Sequence, residues 1–395
     1  MDTTLQKSYY CFLEGFIKEH WNLLQESRVF VFGAGIRGSN LVLLLRSFQI
    51  EDVFFVDNSI QKQGKYIAGC KVLSFEEAKK YSGKHIFLCP IENGKSILEQ
   101  LEETGRKENV DFFNLDFYFT DYLDIINELS NIEGDFSLAF GCCILSSYIL
   151  GEKRLPSLGK QMQKELFGES CIICALPGFS PENYYYVLRM CMLQQKMPEF
   201  VIMALDYSSL SPYNNMMIGK QNQEQITSFV EKMAELVPEN EEIQQFLELN
   251  HKRLEKSMHG GKLVSAEDSK EAIRKVYKLK YLFNMKEQDD SVVYTKKILE
   301  MMNEANIPVY LQFLPVDYMR GMEICGEGFR KQYESIKNQY LSFLKEYRYE
   351  IIDSSFIAPQ DCFVLPTEKP DIDPFLNEKG QRILLQFMKD KVKEG

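Results

Sequence analysis

The sequence predicts an α/β protein with two parallel sheets, one in each of two domains. Short apolar segments of strand length alternate with helix-like segments, and this order indicates parallel strands joined by helices. The alternation restarts near residue 130. A chain of 395 residues is also too long for one typical hydrophobic core. We therefore expect an N-terminal domain over residues 1–125 and a C-terminal domain over residues 126–395.

The first α/β unit has a glycine-rich turn directly after its first apolar strand. Residues 28–38 read RVFVFGAGIRG, so Gly33, Gly35 and Gly38 have the Gly-x-Gly-x-x-Gly spacing. In dinucleotide-binding units the first glycine permits a tight turn, the second lets the backbone approach a phosphate, and the third lets the helix pack on the strand. A helix-like run and a second strand follow and lead to Asp57, where a ribose-binding acid is expected. These four residues are the candidate nucleotide site.

The segment after that acid differs from a dehydrogenase, because no long helix follows it directly. It contains a loop, a short extended piece, a short helix capped by Ser74 with Glu77 three residues later, and the strand HIFLC. In this layout residues 26–115 resemble the small Rossmann-like domain found beside sugar-modifying enzymes of bacterial surface-polysaccharide pathways. The resemblance implies that the glycine turn faces a nucleotide or nucleotide-sugar; the alternative is a docking module with an empty pocket. It is carried by Gly33-Ala34-Gly35, the segment FVDNS, and the phrase G-x-x-I-x-G-x-x-V at Gly64, Ile67, Gly69 and Val72.

Five apolar strands are predicted in the C-terminal domain, with helices between them. Buried strands that alternate with helices indicate a parallel sheet in a three-layer α/β/α sandwich. Ligand sites in such sheets lie beyond the C-terminal ends of the strands. The strands lie in the segments DFSLAFGCC, GESCIICALPGFS, PEFVIMALDYSSL, NIPVYLQFLPVDYMRG and YRYEIIDSSF. The residues at their ends are Gly141 to Cys143, Gly178, Asp206 and Pro315.

The order of these features resembles the SGNH (GDSL-like) hydrolase and acyltransferase fold, over residues 135–215 and 305–390. That family places its nucleophile in a Gly-x-nucleophile turn after the first strand, and Cys143 has this position. The resemblance implies that Gly178, after the second strand, donates a hydrogen bond to the oxyanion. Asp206 stands near the family's asparagine, after the third strand. The family's closing L-N-x-x-G phrase is matched by Leu376, Asn377 and Gly380.

Several residues depart from the family's catalytic pattern. Cys142 and Cys143 replace the Asp and Ser of the nucleophile turn, and a thiolate is a competent nucleophile only if its environment favours it. Asp206 cannot donate to an oxyanion unless it is protonated. Phe375 occupies the position of the catalytic histidine, and His259 is the last histidine of the chain.

Two interpretations of the Gly-Cys-Cys turn stay open. In the first, Cys143 is an acyl-accepting nucleophile, Gly178 helps at the oxyanion, and His251 or His259 supplies the base. In the second, the small-residue turn is kept because helix and strand pack closely there, and catalysis is lost. The second is favoured, since a general base contributes a rate factor of about 10²–10⁴.

A helical insert is predicted over residues 214–300, between the third and fourth strands. Apolar residues such as Ile226, Phe229, Val230 and Met233 recur there at helical spacing. One interpretation is a lid over the strand ends. The others are an ordinary helical elaboration or a dimer contact.

Composition excludes some classes of protein. A net charge of −11 and the lack of a Lys/Arg run argue against a nucleic-acid partner. The N-terminus has no secretory pattern and no run of 18 apolar residues occurs, so we expect no membrane span and a cytoplasmic location. The ten cysteines are scattered, and several of them, Cys171 and Cys174 included, have apolar neighbours, which predicts free, mostly buried thiols and no metal site.

Together these features predict a bacterial protein of surface-polysaccharide or glycan assembly. Its SGNH-like domain would be catalytically impaired and would bind a glycan or nucleotide-sugar intermediate, and a nucleotide is the one cofactor expected, at the glycine turn. The alternative is an active cysteine-dependent acyl (acetyl) transferase or esterase that acts on a nucleotide- or lipid-linked sugar. An NAD-dependent oxidoreductase is disfavoured, because no Tyr-x-x-x-Lys pair follows the first domain at a useful place and the SGNH resemblance accounts for the second domain.

Overall fold

The chain contains two compact units, each with its own mainly parallel sheet and helices, so the predicted α/β class is confirmed. One unit lies within residues 5–119 and 150–155, and the other within 120–149 and 156–395. The predicted boundary after residue 125 lies inside a helix of the second unit. This computed structural model describes residues 13–90, 95–115, 122–146, 149–150, 154–155, 157–168, 170–218, 220–259, 270–363 and 376–394.

Among its described residues, the N-terminal unit has one six-stranded sheet. Its strands are β1 (Arg28–Phe32), β2 (Val53–Val56), β3 (Tyr66–Ile67), β4 (Cys70–Leu73), β5 (His85–Cys89) and β6 (Phe112–Asn114). Their order is β3-β4-β2-β1-β5-β6, and all pairs are parallel except β3 with β4. Its helices are α1 (Trp21–Gln25), α2 (Ile36–Ser47), α3 (Phe75–Lys79) and α4 (Lys95–Glu102), and residues 13–19 are also helical.

Local sequence explains where two of these helices begin. The helix α2 starts directly after the glycine turn, with Gly35 as its N-cap. The predicted cap of α3 is confirmed: Ser74 Oγ accepts a hydrogen bond from the Glu77 N–H at 3.2 Å, and the Glu77 carboxylate accepts one from the Ser74 N–H at 2.8 Å. This reciprocal pair satisfies backbone donors that a helix start otherwise leaves open.

The C-terminal unit holds five parallel strands of one sheet in its described residues. The remaining strands of the chain are β7 (Ser137–Gly141), β8 (Ile149–Leu150), β9 (Arg154–Leu155), β10 (Cys171–Ala175), β11 (Val201–Leu205), β12 (Val309–Phe313) and β13 (Glu350–Asp353), of which β9 falls within residues 150–155 of the first unit. The sheet has the order β10-β7-β11-β12-β13, and β8 pairs with β9 separately. Alternate residues of β7, β10, β11 and β12 contact two different apolar cores, so both faces of the sheet are covered along these strands. The edge strand β13 contributes Ile352 to one core.

The helices of this unit supply those two cores. They are α5 (Tyr122–Ser130), α6 (Cys143–Ser146), α7 (Leu158–Met162), α8 (Pro181–Leu193), α9 (Asn214–Met217), α10 (Lys220–Leu236), α11 (Glu241–His259), α12 (Lys270–Tyr281), α13 (Asp290–Glu304), α14 (Tyr318–Cys325), α15 (Phe329–Phe343) and α16 (Glu378–Glu394). The first core contains residues of α8, α13 and α15, and the second contains residues of α7 and α16. Across the described residues, no helix is both long and apolar enough to cross a membrane.

The insert predicted at residues 214–300 contains α9 to α12 and most of α13. A buried ion pair ties it to α8: Arg253 contacts the Glu182 carboxylate with both terminal nitrogens, at 2.7 and 3.3 Å. Glu242 of α11 binds α8 a second time, through Tyr185 at 2.8 Å and Arg189 at 3.2 Å. The helix α11 is therefore docked on the body of the unit by directed polar contacts.

Candidate functional site

The first and third glycines of the N-terminal turn are required by the backbone. Gly33 has φ +102°, a conformation that favours glycine, and its N–H donates to the Val56 carbonyl at 2.7 Å. A Cβ placed on Gly38 would lie 2.0 Å from the Gly33 carbonyl oxygen. The start of α2 can therefore approach β1 only because Gly38 has no side chain.

The second glycine has no such requirement. Gly35 has an extended backbone, with φ −109° and ψ −165°, which other residues adopt. A Cβ on Gly35 would meet no heavy atom of the described residues within 4 Å. The fold therefore accommodates a side chain at Gly35, and the glycine leaves open space next to the start of α2.

Asp57 is bound by the turn and by the loop that follows it. Its carboxylate accepts hydrogen bonds from the Ala34 N–H at 2.8 Å, the Ser59 N–H at 2.8 Å and Lys62 Nζ at 2.9 Å. Burial would raise the pKa of Asp57, but these hydrogen bonds and the Lys62 charge outweigh it and lower the pKa. The Asp57 carboxylate thus already connects the loop after β2 to the turn after β1, and a ribose hydroxyl would have to share it with these donors.

Strand register brings the candidate residues of the C-terminal unit to one edge of the sheet. The strand β7 pairs with β10 on one side and β11 on the other, with Gly141 opposite Ala175 and Phe140 opposite Met203. Cys143, Gly178 and Asp206 each come one to three residues after the ends of these three adjacent strands. The first strand of the unit lies between the second and the third, and open α/β sheets bind ligands at such a change of strand order.

The Gly-Cys-Cys turn places two thiols together. Gly141 ends β7, and a Cβ there would lie 2.7 Å from Cδ2 of Leu145. Cys142 is buried, and Cys143 is half-buried at the first position of α6. A hydrogen bond with Cys143, burial, and the charges of Cys143 and Asp206 raise the pKa of Cys142 well above its usual value. Cys142 is therefore a neutral thiol at neutral pH.

Asp206 gives this turn an acidic neighbour. It is the first residue after β11, and its carboxylate accepts a hydrogen bond from Ser208 Oγ. Its carbonyl oxygen accepts one from Ser209 Oγ at 2.6 Å. The negative charge of this carboxylate opposes the formation of another anion nearby.

Gly178 is explained by its turn. The Phe179 N–H donates to the Leu176 carbonyl at 3.0 Å, Pro177 is second in the turn, and Gly178 is third with φ +87°. This is the pattern of a type II turn, which requires a positive φ at the third position. A Cβ on Gly178 would lie 3.1 Å from Ile218 Cγ1. Backbone conformation and packing therefore account for this glycine without a catalytic role.

Tyr184 is a residue of this region that sequence reasoning missed. Its side chain on α8 is fully buried, and its ring stacks on Phe140 with centroids 5.0 Å apart. Its hydroxyl has no hydrogen-bond partner among the described residues. Burial, followed by the charges of Cys142 and Asp206, raises the pKa of Tyr184 well above its usual value, so the hydroxyl stays a donor. The one sequence feature that could have drawn attention to Tyr184 is the run of three tyrosines that follows Gly178.

A second carboxylate, that of Asp353, lies at the same end of the sheet, on β13. Asp353 ends β13 and binds the buried Lys337 and the Ser355 hydroxyl, the latter at 2.7 Å. Burial would raise the pKa of Asp353, but the hydrogen bonds from Lys337 and Ser355 outweigh it and lower the pKa. Tyr333 lies close enough to Asp206 and Asp353 for both charges to raise its pKa, after burial as the main cause.

The histidines proposed as a base are accounted for in part. His251 lies on α11, where its Nε2 is 2.9 Å from Glu231 Oε1 of α10 at the surface of the insert. The side chain of His259 lies outside the described residues, and so does Phe375.

The closing Leu-Asn-x-x-Gly phrase starts the last helix. Leu376 is buried, and the Asn377 Oδ1 accepts a hydrogen bond from the Gly380 N–H at 3.1 Å. A Cβ on Gly380 would lie 2.3 Å from the Cys362 carbonyl oxygen. Capping and close packing thus explain this phrase.

Comparison with known proteins gives one match. A family model described as C2185-like, N-terminal, matches residues 25–110, which include the glycine turn and Asp57. No curated protein matches the chain. Within the described residues, no group of three or more His, Cys, Asp or Glu side chains is arranged to hold a metal ion.

Proposed function

We propose that the chain is a glycan- or nucleotide-sugar-binding protein of bacterial surface-polysaccharide assembly. Its C-terminal unit would have an SGNH-like fold without hydrolytic activity, and its N-terminal unit would be a Rossmann-like nucleotide-binding domain. The observation that carries the proposal is the neighbour of the Cys142–Cys143 turn, which is the acid Asp206 rather than a base.

Electrostatics support binding rather than turnover at this edge of the sheet. An acyl-accepting cysteine needs a thiolate, whereas a hydrogen bond with Cys143, burial, and the charges of Cys143 and Asp206 raise the pKa of Cys142 in this turn. His251 pairs with Glu231, so this one of the two candidate bases on the insert is engaged elsewhere. A site without a general base loses a rate factor of about 10²–10⁴.

The open space at Gly35 supports a nucleotide at the N-terminal turn. Gly33 and Gly38 are explained by conformation and packing, whereas Gly35 is explained by neither. A glycine that the fold does not need is expected where a ligand approaches the backbone. The Lys62 ammonium next to Asp57 adds a positive charge beside the turn.

Cysteine-dependent acyl transfer is the second candidate function. The observation that favours it is the half-buried Cys143 at the first residue of α6, where a substrate can reach the sulfur. Gly178 and Cys143 follow neighbouring strands, as an oxyanion site needs.

Alkylation of Cys143 by iodoacetamide, followed by peptide mass spectrometry between pH 6 and pH 9, separates the two functions. Cys325 is also half-buried and serves as an internal reference, and Cys143→Ser is the control for hydrolysis of p-nitrophenyl acetate. For a binding site we expect a labelling rate that falls steeply towards pH 6, as for Cys325, and esterase activity equal in both proteins. Rapid labelling at pH 6 with esterase activity lost in Cys143→Ser would establish acyl transfer instead.

A further inference from the structure

We propose that the Tyr184 hydroxyl is a ligand-binding donor of the C-terminal unit, and that it donates a hydrogen bond to a neutral oxygen of a bound sugar. This inference rests on the proposed binding function and names the chemistry of its site. The group it recognises is a sugar hydroxyl or ring oxygen rather than a phosphate or a carboxylate.

The first support is a comparison between buried tyrosines of the same core. Tyr207 donates to the Tyr333 carbonyl at 2.8 Å, and the Tyr340 hydroxyl lies 2.7 Å from Thr295 Oγ1. Tyr184 is as deeply buried, yet its hydroxyl has no partner among the described residues. A buried donor without an acceptor destabilises the folded state, so it is expected where a ligand or an ordered water completes the hydrogen bond.

The second support is position. Tyr184 stacks on Phe140, the residue before Gly141 at the end of β7, and α8 begins three residues after Gly178. The hydroxyl lies within electrostatic reach of both thiols and of Asp206, whose charges add to burial in raising its pKa. The donor thus belongs to the same edge of the sheet as Cys143.

The charges of the site select a neutral ligand. Tyr184 stays protonated, so its hydroxyl has a hydrogen to donate to an acceptor, while the nearby Asp206 carboxylate repels an anion. A sugar hydroxyl fits this pair, because it accepts from a phenol and donates to a carboxylate. A phosphate would place negative charge against Asp206.

The test is Tyr184→Phe in the full chain, with Tyr340→Phe as the matched control. We expect Tyr184→Phe to leave the thermal midpoint equal or higher, because no internal hydrogen bond is lost, whereas Tyr340→Phe lowers it. An equal drop in both variants would show that the Tyr184 hydroxyl has an internal partner, and the inference would be overturned.

Binding is read by saturation-transfer NMR and by protection of Cys143 from iodoacetamide, with methyl glycosides of glucose, galactose and N-acetylglucosamine, and with inorganic phosphate. We expect at least one glycoside to bind and phosphate not to bind, and Tyr184→Phe to weaken the glycoside about 2- to 10-fold. Undiminished binding by Tyr184→Phe, or binding of phosphate alone, would overturn the inference and leave the proposed function standing. Binding of none of these probes would remove both.

Discussion

Asp57 contributes to stability through a charge that the fold keeps ionised. Its pKa is lowered in the folded state, so its stabilising contribution is complete above the unfolded value of about 3.9 and is lost as the pH falls through the folded value. At pH 7, Asp57→Asn should lower the free energy of unfolding of the first unit by about 1–3 kcal/mol. The difference between the two proteins should shrink below about pH 4.

Tryptophan fluorescence in urea measures this directly, because the single tryptophan, Trp21, lies in the first unit. The matched control is Asp52→Asn, which breaks an exposed pair with Arg28 and should cost about 1 kcal/mol or less. Equal effects of the two substitutions at pH 7 would contradict the role given to Asp57.

Gly35 and Gly38 differ in what a methyl group would do. Gly38→Ala should lower the free energy of unfolding of the first unit by about 1–3 kcal/mol or more, because its Cβ meets a backbone oxygen that cannot rotate away. Gly35→Ala should change it by no more than about 0.5 kcal/mol.

The Gly35→Ala variant also tests whether a nucleotide binds beside the glycine turn. Titration calorimetry with UDP-glucose should show binding by the wild type and weaker binding by Gly35→Ala, at unchanged stability by tryptophan fluorescence. Full affinity in Gly35→Ala would mean that the space beside Gly35 is not used by this ligand.

Residue-level prediction succeeded where one local pattern determines the conformation. Gly33, Gly38 and the Ser74 cap depend on neighbours within a few positions of the chain. Tyr184 could not be found in this way. Whether its hydroxyl has a hydrogen-bond partner depends on residues near β7 and β11, which are remote from Tyr184 in sequence.

At the scale of elements, the insert is held by the buried Glu182–Arg253 pair. Arg253→Met should lower the free energy of unfolding of the second unit by about 3–5 kcal/mol, because it leaves the Glu182 carboxylate buried without its counter-charge. The measurement is urea unfolding followed by far-ultraviolet circular dichroism. The double variant Glu182→Gln/Arg253→Met should recover part of the loss.

Arg382→Ala is the control for this element, since it breaks an exposed pair with Glu378 within α16 and should cost at most about 0.5 kcal/mol. A loss below 1 kcal/mol in Arg253→Met would show that the pair does not hold α11, and the lid interpretation of the insert would gain support.

The long elements followed from the sequence and the short ones did not. Strands buried on both faces are continuous apolar runs, so β7, β10, β11 and β12 were visible as such. The two-residue strands β3, β8 and β9 are too short to show a hydrophobic periodicity. The π-helical turn Gln163–Phe167 has no amino-acid composition that distinguishes it from an α-helix.

At the scale of the whole molecule, charge predicts the absence of a nucleic-acid partner. Asp and Glu number 57 against 46 Lys and Arg, so the phosphate backbone would meet net repulsion. An electrophoretic shift assay with a DNA duplex and a single-stranded RNA should show no retarded band at about 10 µM protein and 0.15 M salt. A retarded band that weakens with rising salt would contradict this.

The sequence predicted the α/β class of the whole molecule better than its chemistry. The alternation of apolar strands with helices is visible in the sequence, and it predicts parallel sheets. The chemistry depends on which side chains meet at the ends of adjacent strands. The positions of Cys143 and Asp206 at the ends of predicted strands could be inferred from the sequence, whereas the proximity of Tyr184, which lies on a helix, carries no sequence pattern.

The pairing of β11 with β12 also affects how the chain is made. Val201 pairs with Val309, and α9 to α13 lie between them in sequence. A ribosome adds about 5–20 residues per second, so β11 leaves it several seconds before its partner and waits with one edge unpaired. The helices α10 and α11 contact each other locally and can form during that interval. The insert therefore imposes a delay on nascent-chain assembly, and during that delay the growing protein most needs a chaperone.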